Sequence, residues 1–156
     1  MNTKFKVGDI VTLKPEYTKA DPSIHINRFI IRNVEKNFGF ADMYFCINIF
    51  SDRLDVEDKH LMMADQTVEA ANEQFIECGV ITLHKKCKNE DIVVELWQPK
   101  GSNTLHKTRC HYTGDYIFRD IPNTFKKHGK EKKTNLNISE FEKEVKKYLQ
   151  LGYIIL

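Results

Sequence analysis

The chain has 156 residues, which is about one average domain and enough for two small ones. With 41% hydrophobic and 29% charged residues, 7 Gly and 4 Pro, it is neither disordered nor built around linkers and low-complexity tracts. The net charge of +2 hides an asymmetry: residues 1–70 hold nine Lys/Arg against eleven Asp/Glu, and residues 100–133 hold nine against three. An electrostatic footprint for an anionic partner falls in the second of these stretches.

A chain of this length buries roughly 68–70% of its unfolded surface, so no metal or disulfide is needed to hold it. The segment Met1-Asn-Thr-Lys-Phe-Lys has no apolar run of the signal-peptide kind. The most apolar stretch, Phe38 to Phe50, is interrupted by Asp42 and Asn48 and is too short to span a bilayer. A cytoplasmic protein without membrane contact is the expectation. Its four cysteines, Cys46, Cys78, Cys87 and Cys110, are then expected to be reduced. Lys, Asn and Ile are abundant and Ala is rare, a bias of A+T-rich genomes such as those of low-GC bacteria and their phages.

In chain order, Phe5 to Leu13 (FKVGDIVTL) reads as a Gly-Asp turn running into an alternating strand. Pro15 and Asp21-Pro22-Ser23 mark a long irregular connection. Arg28 to Lys36 is rich in β-branched residues and stops at the turn signal Asn37-Phe38-Gly39. Met43 to Phe50 (MYFCINIF) is strongly β-prone, Ser51-Asp52-Arg53 turns it into Leu54-Asp55-Val56, and Lys59 to Asp65 closes the segment.

The opening VGDIVTLK, the apolar IIRNV strand, the aromatic strand and the closing DKHLMMAD resemble the SH3-like barrels of small bacterial domains of the YodC and KOW kind. The resemblance covers residues 4–65 and implies a five-stranded barrel, with Gly8 permitting a tight turn and Asp9 capping it. The connection Tyr17–Asn27 is longer than that compact pattern. Such barrels bind proteins, RNA or DNA, so the likeness implies a fold and leaves the ligand open.

Thr67 to Cys78 predicts a short helix with Val68, Ala71 and Phe75 on one face and Gly79 beyond its end. Gly79–Lys86, Asp91–Trp97 and Thr104–Tyr112 read as three antiparallel strands, joined by turns at Asn89-Glu90 and Pro99–Asn103. Ile81, Leu83, Val93 and Leu96 are expected to be buried together. The charged run Lys126–Lys133 reads as an exposed loop. Asn137 or Ser139 then caps a helix on which Ile138, Phe141, Val145, Tyr148 and Leu149 share a face. Gly152 ends it, and Tyr153–Leu156 reads as a buried final strand. The fold class expected is α+β: a barrel over 1–66, then an α+β subdomain over 67–156 with an antiparallel sheet and one C-terminal helix packed on it.

Among candidate sites, Cys78, His84, Cys87, His106, Cys110 and His111 lie within 34 residues, yet only His84-x-x-Cys87 approaches the spacing of a zinc ligand pair. Cys110 and His111 are adjacent, and in a strand they point to opposite faces. No nucleophile elbow, G-x-G-x-x-G or P-loop is present, and Asp55, Glu57 and Asp58 fall where the barrel turns. Neither metal, cofactor nor catalytic residue is expected. The basic stretch is the strongest feature: Lys100, Lys107, Arg109, Arg119, Lys126, Lys127, Lys130, Lys132 and Lys133 interleave with Tyr112, Tyr116, Phe118 and Phe125. Cations that hold phosphates and aromatics that stack on bases are the chemistry of single-strand binders. Trp97 ends a strand; it anchors an interface if exposed, but burial in the second core is the expectation.

The reading is therefore a non-enzymatic macromolecule-binding protein, an adaptor or inhibitor working through a protein–protein interface with a protein or ribonucleoprotein. Two alternatives stand beside it: an RNA- or ssDNA-binding protein using residues 100–133, and a phage or mobile-element protein that inhibits a host nuclease or defence complex.

Overall fold

A computed structural model describes residues 4–17, 28–38, 41–48, 52–88, 90–113 and 130–156. They form a mixed α+β chain with two antiparallel five-stranded sheets and two short α-helices. The backbone divides into two compact units, with the boundary between Ala64 and Asp65.

The first unit contains β1 (Ile10–Leu13), β2 (Phe29–Phe38), β3 (Ala41–Ile47), β4 (Arg53–Glu57) and β5 (Leu61–Met63), in the order β4-β3-β2-β1-β5. The Gly-Asp turn before β1 forms as its chemistry requires. Gly8 sits at φ 94° and its N–H donates to the Ile31 carbonyl at 2.8 Å, while Asp9 Oδ2 accepts from the Lys6 N–H at 3.0 Å. Inward-facing Val11, Phe29, Ile31, Tyr44, Cys46 and Leu61 build a core with Phe5. The Phe5 N–H donates to the Tyr44 hydroxyl at 3.2 Å, and the two rings meet edge to face. Among the described residues β4 and β5 do not pair, and the sheet is open. Residues 18–27, most of the long connection, lie outside the described residues.

The second unit begins with α1 (Val68–Cys78). Thr67 Oγ1 accepts from the Ala70 N–H at 3.2 Å, and Gly79 ends the helix at φ 73° with its N–H on the Phe75 carbonyl. Strands β6 (Val80–Lys86), β7 (Glu90–Trp97), β8 (Thr104–Thr113) and β9 (Lys130–Asn137) follow as an antiparallel meander. Then α2 (Phe141–Gln150), entered through a 3₁₀ turn at Ile138–Glu140, returns the chain so that β10 (Ile154–Ile155) pairs beside β6. Asn137 Oδ1 accepts from the Ser139 N–H and caps that turn. Both helices pack on one face of the sheet through Ala71, Phe75, Phe141, Val145 and Tyr148.

Three expectations are corrected. The sheet has five strands and both helices pack on it, where the three central strands, a final strand at Tyr153–Leu156 and packing by the C-terminal helix were expected. Lys130–Asn137 is a strand: at the sheet edge Lys132 and Lys133 are exposed and Leu136 packs against the core, so it carries no apolar pattern. Val93 does not join Ile81, Leu83 and Leu96. The strand period places Ile92, Val94 and Leu96 under the helices and turns Val93, opposite His84 and Cys110, to the other face.

Candidate functional site

Strand parity sorts the basic stretch onto different faces. Lys107 and Arg109 pair in register with Leu96 and Val94 and so lie on the helix-covered face. Lys107 Nζ is 3.1 Å from Glu144 Oε2 and lies over the Tyr148 ring, so this cation is already neutralised. Burial acts to lower its pKa, but the hydrogen bond to Glu144 and the charges of Tyr148 and Glu144 outweigh it, and the ammonium is held above its usual value. That contribution is complete below the ordinary lysine pKa and is lost as the pH rises through the elevated one. Arg109 is half-buried and its charge opposes the burial that raises the Tyr153 pKa. Neither residue is presented to a phosphate backbone.

Lys132 and Lys133 are exposed on β9 and lie on opposite sides of it, in register with Arg109 and Thr108. Lys130 and Tyr112 lie in β9 and β8, in register with His111 and Asp91. Arg119, Lys126, Lys127, Tyr116, Phe118 and Phe125 fall outside the described residues.

Trp97 corrects the burial expected of it. It is 38% exposed, because Leu96 takes the core-facing position at the end of β7 and leaves the indole on the opposite face. There it stacks on His106, its register partner in β8, with ring centroids 4.7 Å apart at 21°.

The histidines and thiols are taken up elsewhere. His84 Nε2 lies 3.2 Å from Asp91 Oδ2 with both side chains almost fully buried, and His111 Nδ1 lies 3.1 Å from Glu90 Oε1. Cys46 and Cys110 are buried, Cys87 is half-buried against the core and Cys78 is exposed. Burial, with the nearby Asp55 charge, pushes the Cys46 pKa up to about 12. Among the described residues no three His, Cys, Asp or Glu side chains come together as metal ligands. No helix among them is long and apolar enough to cross a membrane.

A second surface was not visible in the sequence. The C-terminal end of α1, the Gln98–Gly101 turn and the start of α2 enclose a cleft of about 1090 Å³. Phe75, Ile76, Pro99, Ile138 and Phe141 supply its apolar lining, and Ile76 is 84% exposed. Glu77, Glu142 and Lys100 are its charged lining residues and all are exposed, and α1 carries three Glu and no Lys or Arg. Ile76 occupies the outward face of an amphipathic helix, so its position predicts exposure, but nothing in α1 alone indicates the turn and second helix that complete the cleft.

No family model, curated protein or solved structure matches this chain.

Proposed function

We propose that this chain is a non-enzymatic binding protein whose second unit takes a partner protein's segment in the α1–α2 cleft. The exposure of Ile76 on that cleft carries the reading. A single apolar side chain in water needs no explanation, but one that continues into a lined groove marks an interaction surface. Two carboxylates, Glu77 and Glu142, against the single cation Lys100 leave the lining net acidic and favour an amphipathic segment with apolar residues flanked by Lys or Arg. The location of His84 and Cys110 also favours binding over catalysis: each is 1% exposed and held within a sheet, away from any substrate.

Peptides selected from a random display library on the full chain should be apolar with basic flanks. Ile76→Glu should weaken them about 30-fold or more, as loss of an interface anchor does. The melting temperature should barely move, because Ile76 stands in water. Selection of peptides without that bias, or peptides indifferent to Ile76→Glu, would remove the cleft as the site.

For the first unit the reading is an SH3-like barrel, supported by the β4-β3-β2-β1-β5 order and the Gly8-Asp9 turn. Closure requires β4 and β5 to approach. Nuclear Overhauser contacts between the backbones of residues 53–57 and 61–63 are the expected result; a β4 edge with freely exchanging amides and no such contacts would leave an open sheet.

A further inference from the structure

We infer that Arg109 is the centre of a phosphate-binding site on the helix-covered face of the second sheet, beside the C-terminal half of α2. The ligand it fits is a single doubly charged phosphate group, free or as a terminal ester. The site is independent of the cleft reading, since the cleft lies at the other end of α2.

Arg109 stands on β8 in one side-chain row with Lys107 and His111, at a spacing of about 6.6 Å along the strand. Its cross-strand neighbours are Val94 in β7 and Lys132 in β9. The residue is half-buried, and its Nε is enclosed without a hydrogen-bond acceptor among the described residues. The guanidinium makes no ion pair with any of them. An arginine carries five N–H donors, and enclosing one unpaired is costly in stability. Packing alone would be better served by an apolar side chain of the same length. An unpaired guanidinium held in a packed layer is explained by an acceptor that comes from outside the chain.

The surroundings carry an excess of positive charge. Glu144 Oε2 lies 3.1 Å from Lys107 Nζ and 3.3 Å from Lys147 Nζ, so one carboxylate serves two ammonium groups. Lys132 is exposed on the same face as Arg109 and adds a further cation. The C-terminal carbonyls of α2 would repel an anion, but Lys85 Nζ donates to the Leu151 carbonyl at 2.6 Å and offsets them. Glu90 is the opposing charge, and its Oε1 lies 3.1 Å from His111 Nδ1. Tyr153 is close enough to Arg109 for its phenol to feel the charge. Burial outweighs that effect and keeps the phenol protonated, a donor and not a competing anion.

Lys107, Arg109, Lys132 and Lys147, set against one shared carboxylate and one held by a histidine, match a dianion better than a monoanion. A phosphate group carries close to two charges at neutral pH and a carboxylate only one. The planar guanidinium fits phosphate oxygens, and the lysines act as point charges around it. Tyr148 and Tyr153 are buried, at 4% and 6% exposed, so neither ring is offered to a base. Half-burial of Arg109 also turns away a continuous phosphodiester chain, whose sugars need open surface on both sides of each phosphate.

Titration of the full chain with inorganic phosphate, followed by the Nε–Hε resonances of isotope-labelled arginine, reads the site directly. One resonance should move and saturate, and it should be the one missing from Arg109→Lys. Sodium chloride at equal ionic strength should not move it. By calorimetry, Arg109→Lys should weaken phosphate about 10-fold or more, because it keeps the charge but loses the fork. Lys132→Gln should weaken it about 2- to 5-fold, as loss of an exposed charge does. Glu90→Gln removes the opposing charge and should tighten it. Ile76→Glu should leave it unchanged, so failure here is separable from failure of the cleft.

Phosphoserine binding more tightly than inorganic phosphate would assign the site to an ester; equal or weaker binding would assign it to free phosphate. An arginine resonance unmoved by about 20 mM phosphate would overturn the proposal. So would an equal shift with chloride, which marks an adventitious ion only, or acetate binding as tightly as phosphate. Phosphate bound at full strength by Arg109→Lys and Lys132→Gln, in chains that melt normally, would overturn it too.

Discussion

Phe141→Ala should destabilise the second unit by about 3–5 kcal/mol, the usual cost of deleting a buried phenyl ring. The ring is 5% exposed and stacks on Phe75 of α1 with centroids 4.0 Å apart, so one side chain holds both helices against the sheet. Its neighbours on α2, Val145 and Tyr148, are also buried, and the helix cannot slide to fill the space without displacing them. For a unit of this size the melting temperature should fall by more than about 10 °C. Phe141→Leu, which keeps most of the volume, should cost less than about 1.5 kcal/mol. A melting curve unmoved by the alanine substitution would mean that α2 does not carry the core. Because Phe141 also lines the cleft, peptide binding should be lost with it, whereas Ile76→Glu separates binding from stability.

The helices were legible because their signals are local. Thr67 and Gly79 bracket α1, and the spacing of Phe141, Val145 and Tyr148 gives α2 its buried face without reference to anything distant. Strands β6 and β7 were legible from local apolar runs, and β8 from the Pro99–Asn103 turn signal that precedes it. β9 was not: its sequence KEKKTNLN is what an edge strand in water needs and what a loop would also contain. The functional surfaces depend on register, which no local pattern states. Trp97 meets His106 only because β7 and β8 pair at that offset, and Lys107 meets Glu144 across 37 residues. A basic stretch that reads as one patch in one dimension is divided by strand parity: Lys107 lies on the helix-covered face against Glu144, and Lys132 and Lys133 lie on opposite sides of β9.

His84→Ala is the second substitution expected to have a large effect, at about 3–5 kcal/mol. His84 and Asp91 are diagonal neighbours on β6 and β7, on the face away from the helices, with 2% and 1% of their side chains exposed. Thr82, Val93, Thr108 and Cys110 share that face and are buried too, so water has little access to the pair. Removing the imidazole takes a 3.2 Å partner from a carboxylate that cannot recover it from solvent and leaves a cavity in a packed layer. Asp91→Asn keeps the shape and an acceptor oxygen for the ring, so it should cost roughly 1–2 kcal/mol. The contrast between the two substitutions is the decisive measurement by chemical denaturation. If alanine at 84 costs no more than asparagine at 91, packing alone accounts for the site. If neither moves the midpoint, the pair is not buried in solution and the face it occupies is open to water.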